Sequence, residues 1–319
     1  MTIGIAVALY NGEKFLKQQL DSLRLQSKPA DKVVLCDDGS KDNTVKIVQD
    51  YIKEFSLENS WELRINEQNL GYARNFYHAM EICDTDLIYL SDQDDLWEKD
   101  KLEEMSNIMV QNPNINLLCC KHGIIDCDGN KMHSVLEKEG NSTKSLQLVT
   151  VENIMTAYRW PGMAMCVRGD FFRNLLPSIS ELKLAHDMVF VLTSADCDSF
   201  FEYDYIGVHH RRHGNNTANE ESRIFKLLDL KRKLRDMRVY NVLLSGIIDA
   251  KLPLSEKTIN EIKTKLDFSL AREEAVNSRN FKKLINAYRM GNKKTFRIAS
   301  ALCDIWLLCF GKYRNTKEN

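Results

Sequence analysis

Over its first hundred residues the chain switches repeatedly between two hydrophobic patterns, and that alternation restricts the fold more than any other feature. Ile3–Leu9, Lys32–Asp37 and Leu87–Ser91 are dense apolar runs, as strands buried on both faces are, and residues 61–66 read as a shorter strand. Between them, residues 13–26, 44–55 and 73–83 read as helices. Phe15, Leu16, Leu20 and Leu23 mark the apolar stripe of the first. Pro29 closes that helix, and Asp42 or Asn43 stands where the second would be capped. The order β-α-β-α-β-α-β predicts an α/β fold with a mostly parallel, Rossmann-like sheet and helices on both faces. Such sheets bind ligands at the C-terminal ends of their strands. Tyr10-Asn11, Asp37-Asp38, residues 66–71 and Asp92 to Asp95 all fall at such ends.

The last of these clusters carries the most chemistry. The fourth apolar run passes straight into Ser91-Asp92-Gln93-Asp94-Asp95. Extended side chains alternate with period two, so Asp92 and Asp94 point the same way. Two carboxylates at a strand end suit a hard divalent cation, Mn²⁺ or Mg²⁺, whose other ligands come from water and phosphates. Asp94 is the expected metal ligand. Asp92 is expected on the ribose, the metal or a metal-bound water, and Asp95 as a cap for a helix over residues 97–112.

After Pro113 the pattern loosens. Residues 115–123 read as a strand, 126–130 as a hairpin turn and 137–145 as a polar loop. Residues 162–167 read as a strand and 169–176 as a short helix. His186-Asp187 precedes an apolar helix over 188–195, and a strand over 200–208 runs into His209-His-Arg-Arg-His213. From residue 222 onward the chain reads as helical, with a break at Pro253. Two regions are therefore expected, 1–220 and 221–319. Their charges differ: 221–319 holds 22 Lys+Arg and 11 Asp+Glu, a net of +11, leaving 22 basic and 34 acidic residues, a net of −12, in 1–220. A basic tail on an acidic body points to an anionic partner.

Nine cysteines without Cys-x-x-Cys spacing fit reduced thiols in a cytoplasmic protein. Met1-Thr2-Ile3 enters an apolar strand with no basic segment before it, so no signal peptide is expected. The most apolar tail segment, Ile298–Phe310, is interrupted by Asp304 and too short to span a bilayer. Lys293, Lys294 and Arg297 precede it, and Lys312 and Arg314 follow. That arrangement suits a helix lying on an anionic membrane surface, at the inner face of the cell membrane. The competing use of the same apolar residues is a core or homodimer contact.

Six motifs now occur in one order: Ala8-Leu-Tyr-Asn11, Leu35-Cys-Asp-Asp-Gly-Ser40, Asn69-Leu-Gly71, Ser91-Asp-Gln-Asp-Asp95, His186-Asp187 and Arg211-Arg-His-Gly-Asn-Asn216. This order resembles family 2 glycosyltransferases of the GT-A fold, and the Asp-Gln-Asp-Asp-Leu-Trp and His-Asp pairings look most like bacterial rhamnosyltransferase-type members, which build capsule, O-antigen or cell wall. The resemblance implies inverting, metal-dependent transfer from a UDP- or dTDP-sugar to a hydroxyl of a polysaccharide or lipid-linked glycan. It implies that Tyr10 stacks on the base and that Asp38 accepts from the base ring N–H. It places Ala8, Asn11, Asn69, Gly71, Arg74, Asp92 and Gly162 in the nucleotide-sugar site, Arg211 on phosphate and His213 on phosphate or metal. Asp187, at a helix N-terminus that stabilises a carboxylate, is the implied general base.

Other functions fit less well. Tyr10-Asn11-Gly12-Glu13 supplies no glycine-rich phosphate loop for a sugar nucleotidyltransferase, and Gly-x-x-x-x-Gly-Lys is absent. A zinc site on His209, His210 and His213 lacks a Cys or carboxylate at structural spacing. The tail has few aromatics for stacking on bases, so no nucleic acid is expected. A nucleotide-sugar-binding protein without transferase activity is the remaining alternative.

Overall fold

The computed structural model describes residues 1–132, 142–156, 159–182, 184–212, 230–291 and 298–310. The chain divides into two compact units, one of Met1–Val149 with Arg159–Gly214, the other of Thr150–Tyr158 with Asn215–Asn319. The second thus takes in residues 150–158 as well as the tail.

In the first unit, β1 (Ile3–Leu9), β2 (Lys32–Asp37), β3 (Trp61–Ile65) and β4 (Leu87–Ser91) are parallel in the order β3-β2-β1-β4. The crossovers are α1 (Leu16–Arg24), α2 (Thr44–Glu54) and α3 (Tyr72–Cys83). β1, β2 and β4 are buried almost throughout because helices cover both faces, which is why their sequences are apolar without alternation. α1 buries Leu16, Gln19, Leu20 and Leu23, the i, i+3, i+4, i+7 stripe of a surface helix. The register pairs Leu9 with Asp37, Asp37 with Ile65 and Val7 with Ser91. The four strands therefore end in one row, and their polar exits share one edge.

The sheet continues through β8 (Met165–Arg168), antiparallel to β4, then β6 (Leu117–Ile125), β9 (Phe200–Arg211) and β5 (Leu96–Trp97). β6 and β9 are parallel, while β5 and β7 (Leu146–Leu148) pair antiparallel with β9. α4 (Lys101–Gln111), α6 (Gly169–Ile179) and α7 (His186–Asp196) complete the unit. The α/β fold expected from the alternation is the one observed.

Local boundaries differ where tertiary pairing overrides local pattern. Leu96 and Trp97 pair with His209 and Val208 instead of opening a helix, so α4 starts at Lys101. Residues 162–167 split into a 3₁₀ turn, Gly162–Ala164, and β8. β9 continues past Val208 to Arg211. Most of the expected polar loop, residues 137–141, lies outside the described residues.

The second unit is helical: α5 (Val151–Thr156), α8 (Leu230–Asp249), α9 (Glu256–Asn277), α10 (Phe281–Met290) and α11 (Ile298–Phe310). Ser255 caps α9 by accepting from Thr258 N, and Asn280 caps α10 by accepting from Lys283 N. Leu230, Leu234, Met237, Ala275, Val276, Leu284, Leu307 and Leu308 form a buried core. Beside it, wholly buried Asp304 accepts from Arg272 Nε and Nη2 and, at 2.7 Å, from Tyr288 Oη. No described helix is long and apolar enough to cross a membrane.

Candidate active site

The exits of β1 and β2 are tied together by short polar bonds. Ser40 Oγ accepts from Asn11 N at 2.9 Å, and Asn11 Oδ1 accepts from Lys41 N at 2.8 Å. Asn11 has φ +50°, a left-handed turn that asparagine tolerates. Ala8 lies near the end of β1 opposite Cys36, and Tyr10 beyond it is half exposed. Tyr10 is also bound to the acidic turn. Its N–H donates to Gln93 Oε1 at 2.8 Å, and its carbonyl accepts from Gln93 Nε2 at 2.9 Å.

Asp38 is turned inward. Its Oδ1 accepts from Leu70 N at 2.7 Å and Asn66 Nδ2 at 3.0 Å, and its Oδ2 from Gly71 N at 2.9 Å. Asn69 Nδ2 donates to the Asp38 carbonyl at 2.8 Å. The carboxylate expected on the base thus holds the Asn69–Gly71 loop against β2. Gly71, at φ +81°, opens α3 in a conformation few other residues adopt. Arg74, in the first turn of α3, pairs with Glu181 at 3.1 Å on the surface.

The acidic turn combines one buried and two partly buried carboxylates. Asp95 is fully buried, and its Oδ1 accepts from Arg211 N and from His210 Nδ1, both at 3.1 Å. It therefore ties the turn to β9 and caps no helix. Its Oδ2 has no hydrogen-bond partner among the described residues. Burial pushes the Asp92 carboxyl well above its ordinary range, and the charges of Asp95 and Asp94 push it further. The Asp95 hydrogen bond raises the His210 imidazole, with Asp94 and Asp92 adding to the effect. Two partly exposed carboxylates at a strand exit are of the oxygen-donor type that a hard divalent cation takes. Among the described residues no three His, Cys, Asp or Glu are grouped to hold a metal alone. A cation held by Asp92 and Asp94 would take its other ligands from water and phosphate, which is how Mg²⁺ is usually held. His213 lies outside the described residues.

Arg211 departs from its expected place on phosphate. It is fully buried, and its Nε donates to the Asp94 carbonyl at 2.8 Å. Nη1 reaches the Asp126 and Cys127 carbonyls at 3.2 and 3.0 Å, and Nη2 the Gln18 side chain at 2.7 Å. The guanidinium also lies over the Phe15 ring, 4.7 Å from its centre. A planar fork suits clustered carbonyl oxygens as well as it suits phosphate.

Asp187 sits in the first turn of α7, partly exposed, with Oδ1 accepting from Met188 N at 2.7 Å. Its charge acts on Asp92, Tyr72 and Tyr77, so it belongs to the same electrostatic neighbourhood as the acidic turn. Gly162 begins the 3₁₀ turn facing the His186 ring.

Residues 4–171 match the family model for glycosyl transferase family 2. The chain belongs to this family. An uncharacterized glycosyltransferase of Haemophilus influenzae is 26% identical over 65% of this chain and 81% of its own length. The dTDP-rhamnosyl transferase RfbG of Shigella flexneri is 28% identical over 43% of this chain and 47% of its own. The crystal structure of Staphylococcus aureus TarS 1-349 in complex with UDP superposes with a TM-score of 0.58 at 16% identity, covering 98% of this chain and 93% of that one. That likeness shows a shared fold, the GT-A fold of family 2.

Within this family 2 site, three contributors escaped the sequence reading. Gln93, in the bend after β4, reads from the sequence as a spacer between two carboxylates, whereas its side chain is bound to the Tyr10 main chain. Lys101, fully buried, donates to the Met163 carbonyl at 2.7 Å with Nζ over the Trp97 ring. Burial pushes its amine down to about 8. His210 was read as one of a histidine run rather than as the partner of Asp95.

Proposed function

We propose that this glycosyltransferase moves the sugar of a UDP- or dTDP-sugar, with inversion, onto a hydroxyl of a growing, lipid-linked cell-surface polysaccharide. The observation that carries this reading is the approach of two acidic groups, the turn after β4 and Asp187 at the head of α7. Burial, Asp95 and Asp94 raise the Asp92 carboxyl most, and the charge of Asp187 adds to them. Asp187 is the base: it takes the acceptor hydroxyl proton as that oxygen attacks the anomeric carbon and the bond to the diphosphate breaks. One displacement with one base inverts the configuration. Asp94 and Asp92 would hold Mn²⁺ or Mg²⁺, which neutralises the departing diphosphate when bound. Tyr10 offers the exposed ring on which a base stacks. The names of RfbG and of the UDP-bound TarS structure support a nucleotide-linked donor.

The test is hydrolysis and transfer across a panel of UDP-, dTDP- and GDP-sugars, with and without Mn²⁺. Turnover of a UDP- or dTDP-sugar that needs Mn²⁺ is expected. Tight donor binding with no turnover under any condition would instead identify a nucleotide-sugar-binding protein.

We also propose that the second unit rests on an anionic membrane surface. α11 buries Asp304, Leu307 and Leu308, and turns Leu302, Ile305, Trp306 and Phe310 outward. The ion pair of Asp304 with Arg272 fixes this rotation of the helix. Between Glu274 and Glu318 the sequence has ten basic residues, and its single acid, Asp304, is buried. Outward apolar side chains within such a basic stretch match an anionic bilayer interface.

A further inference from the structure

Seven buried polar side-chain atoms have no hydrogen-bond partner among the described residues. Three of them belong to residues that the charge of Asp187, the proposed base, reaches: Tyr77 Oη and both ring nitrogens of His186. Asp187 follows His186 in sequence. Buried polar groups in native proteins are nearly always hydrogen-bonded, and an unpaired one costs stability. Three such atoms within reach of one carboxylate's charge call for a ligand.

The surroundings define what that ligand is. His186 is 6% exposed, and its ring lies 4.2 Å, centre to centre, from Phe76, with Tyr72 edge-on at 6.1 Å. Tyr72 is itself 60% exposed, so the aromatic wall reaches solvent. On the other side is Gly162, where a Cβ would stand 2.5 Å from His186 Nε2. Any larger residue at 162 would displace the ring. Burial lowers the imidazole pKa, more than Asp187 restores it, so the ring is neutral. A neutral imidazole offers one donor and one acceptor. Nε2 faces Gly162 and the two nitrogens diverge, so a ligand bonds one of them. A hydroxyl, which both accepts and donates, fits that nitrogen in either tautomer, whereas a phosphate oxygen, which only accepts, fits it only as N–H.

We propose that His186 binds a carbohydrate hydroxyl beside the reacting centre, with Gly162 left bare to admit the imidazole. This rests on the transferase reading above. The hydroxyl belongs either to the transferred sugar or to the acceptor, and the test separates the two. His186 positions the substrate and exchanges no proton.

His186→Phe keeps a ring against Phe76 and removes both nitrogens, and His186→Gln keeps hydrogen bonding. His186→Phe should melt no lower than the parent, because it deletes unpaired polar atoms. It should bind UDP and dTDP alone as the parent does. If the hydroxyl is the donor's, the extra affinity of UDP-GlcNAc or dTDP-rhamnose over the free nucleotide falls by about tenfold. If it is the acceptor's, donor binding and hydrolysis persist while transfer to alkyl glycosides falls by that factor. His186→Gln should recover part of the loss in either case. Gly162→Ala, which presses on Nε2, should reproduce the loss. His186→Phe and Gly162→Ala with parental donor affinity, hydrolysis and transfer would overturn the proposal. A parent that binds no nucleotide or nucleotide-sugar would overturn the transferase reading itself.

Discussion

The side-chain amide of Gln93 grips the main chain of Tyr10 at both ends, donating to its carbonyl at 2.9 Å and accepting from its N–H at 2.8 Å. This pairing couples the exposed ring beyond β1 to the carboxylates on either side of Gln93. It also explains Gly12, where a Cβ would stand 2.3 Å from Gln93 Oε1. Gln93→Glu removes the donor and sets an oxygen against the Tyr10 carbonyl. Losing that bond and adding repulsion should weaken UDP or dTDP binding about tenfold by calorimetry, with little change in melting temperature. Parental affinity would show that the two loops need no such tie.

Asp94→Asn should leave the fold intact, because the side chain is partly exposed at a strand exit. It should abolish the Mn²⁺-dependent part of nucleotide affinity. Titrating nucleotide with and without Mn²⁺ measures this directly, and an unchanged Mn²⁺ effect removes Asp94 from the metal role.

Asp187→Asn should lower kcat by about 10² to 10⁴, the range for a lost general base, while donor affinity stays near the parent value. The substituted side chain can still accept from Met188 N, so α7 keeps its first turn. A kcat within a few-fold of the parent would leave Asp187 as a helix-end residue.

Acid should loosen one particular segment. Asp204 accepts from Thr143 N at 3.0 Å, from Thr143 Oγ1 and from Lys121 Nζ, and these hold its carboxyl down at about 2, against an ordinary 3.8. A depressed folded pKa gives stability that is complete above about pH 4 and is lost as pH falls toward 2. Hydrogen exchange at Lys144 N, which donates to the Asp204 carbonyl at 3.1 Å, should therefore accelerate across that window. Asp204→Asn should exchange faster at neutral pH and lose the acid dependence. Identical profiles for the two proteins would refute the assignment.

Vesicle binding should depend on α11. The full chain should sediment with phosphatidylglycerol-containing vesicles at low salt, less at 0.5 M salt, and not with phosphatidylcholine alone. Trp306 fluorescence should shift to the blue on binding. Leu302→Glu and Trp306→Glu, both outside the core, should abolish sedimentation without lowering the melting temperature. A chain that dimerises in solution through these residues and ignores anionic vesicles would assign the face to a second copy.

Much of the fold was legible because β1, β2 and β4 are buried on both faces, which forces apolar runs, and the crossover helices must be amphipathic. β5 and β7, of two and three residues, were not: their pairing with β9 is a long-range contact with no local period. The position of the candidate site was legible for a similar reason, since strand exits in a parallel sheet share an edge. The orientation of its side chains was not. Asp38 reads equally as a base contact or a loop anchor until Leu70 and Gly71 are placed beside it. Arg211 reads as a phosphate ligand until the Asp126 turn closes over it.

The placement of Arg211 has a consequence for how the chain matures. Its guanidinium joins residues 193, 117 and 85 positions away, on α1, the acidic turn and the hairpin after β6. Contacts so distant in sequence form late, after the loops between them have closed. A ribosome that has released only the first 200 residues has made all four parallel strands and every carboxylate of the acidic turn. It has not made the side chain that holds the Asp94 main chain in place. The acidic turn acquires its final shape when the last strand of the sheet is laid down, so nucleotide binding can report on completion of the whole unit.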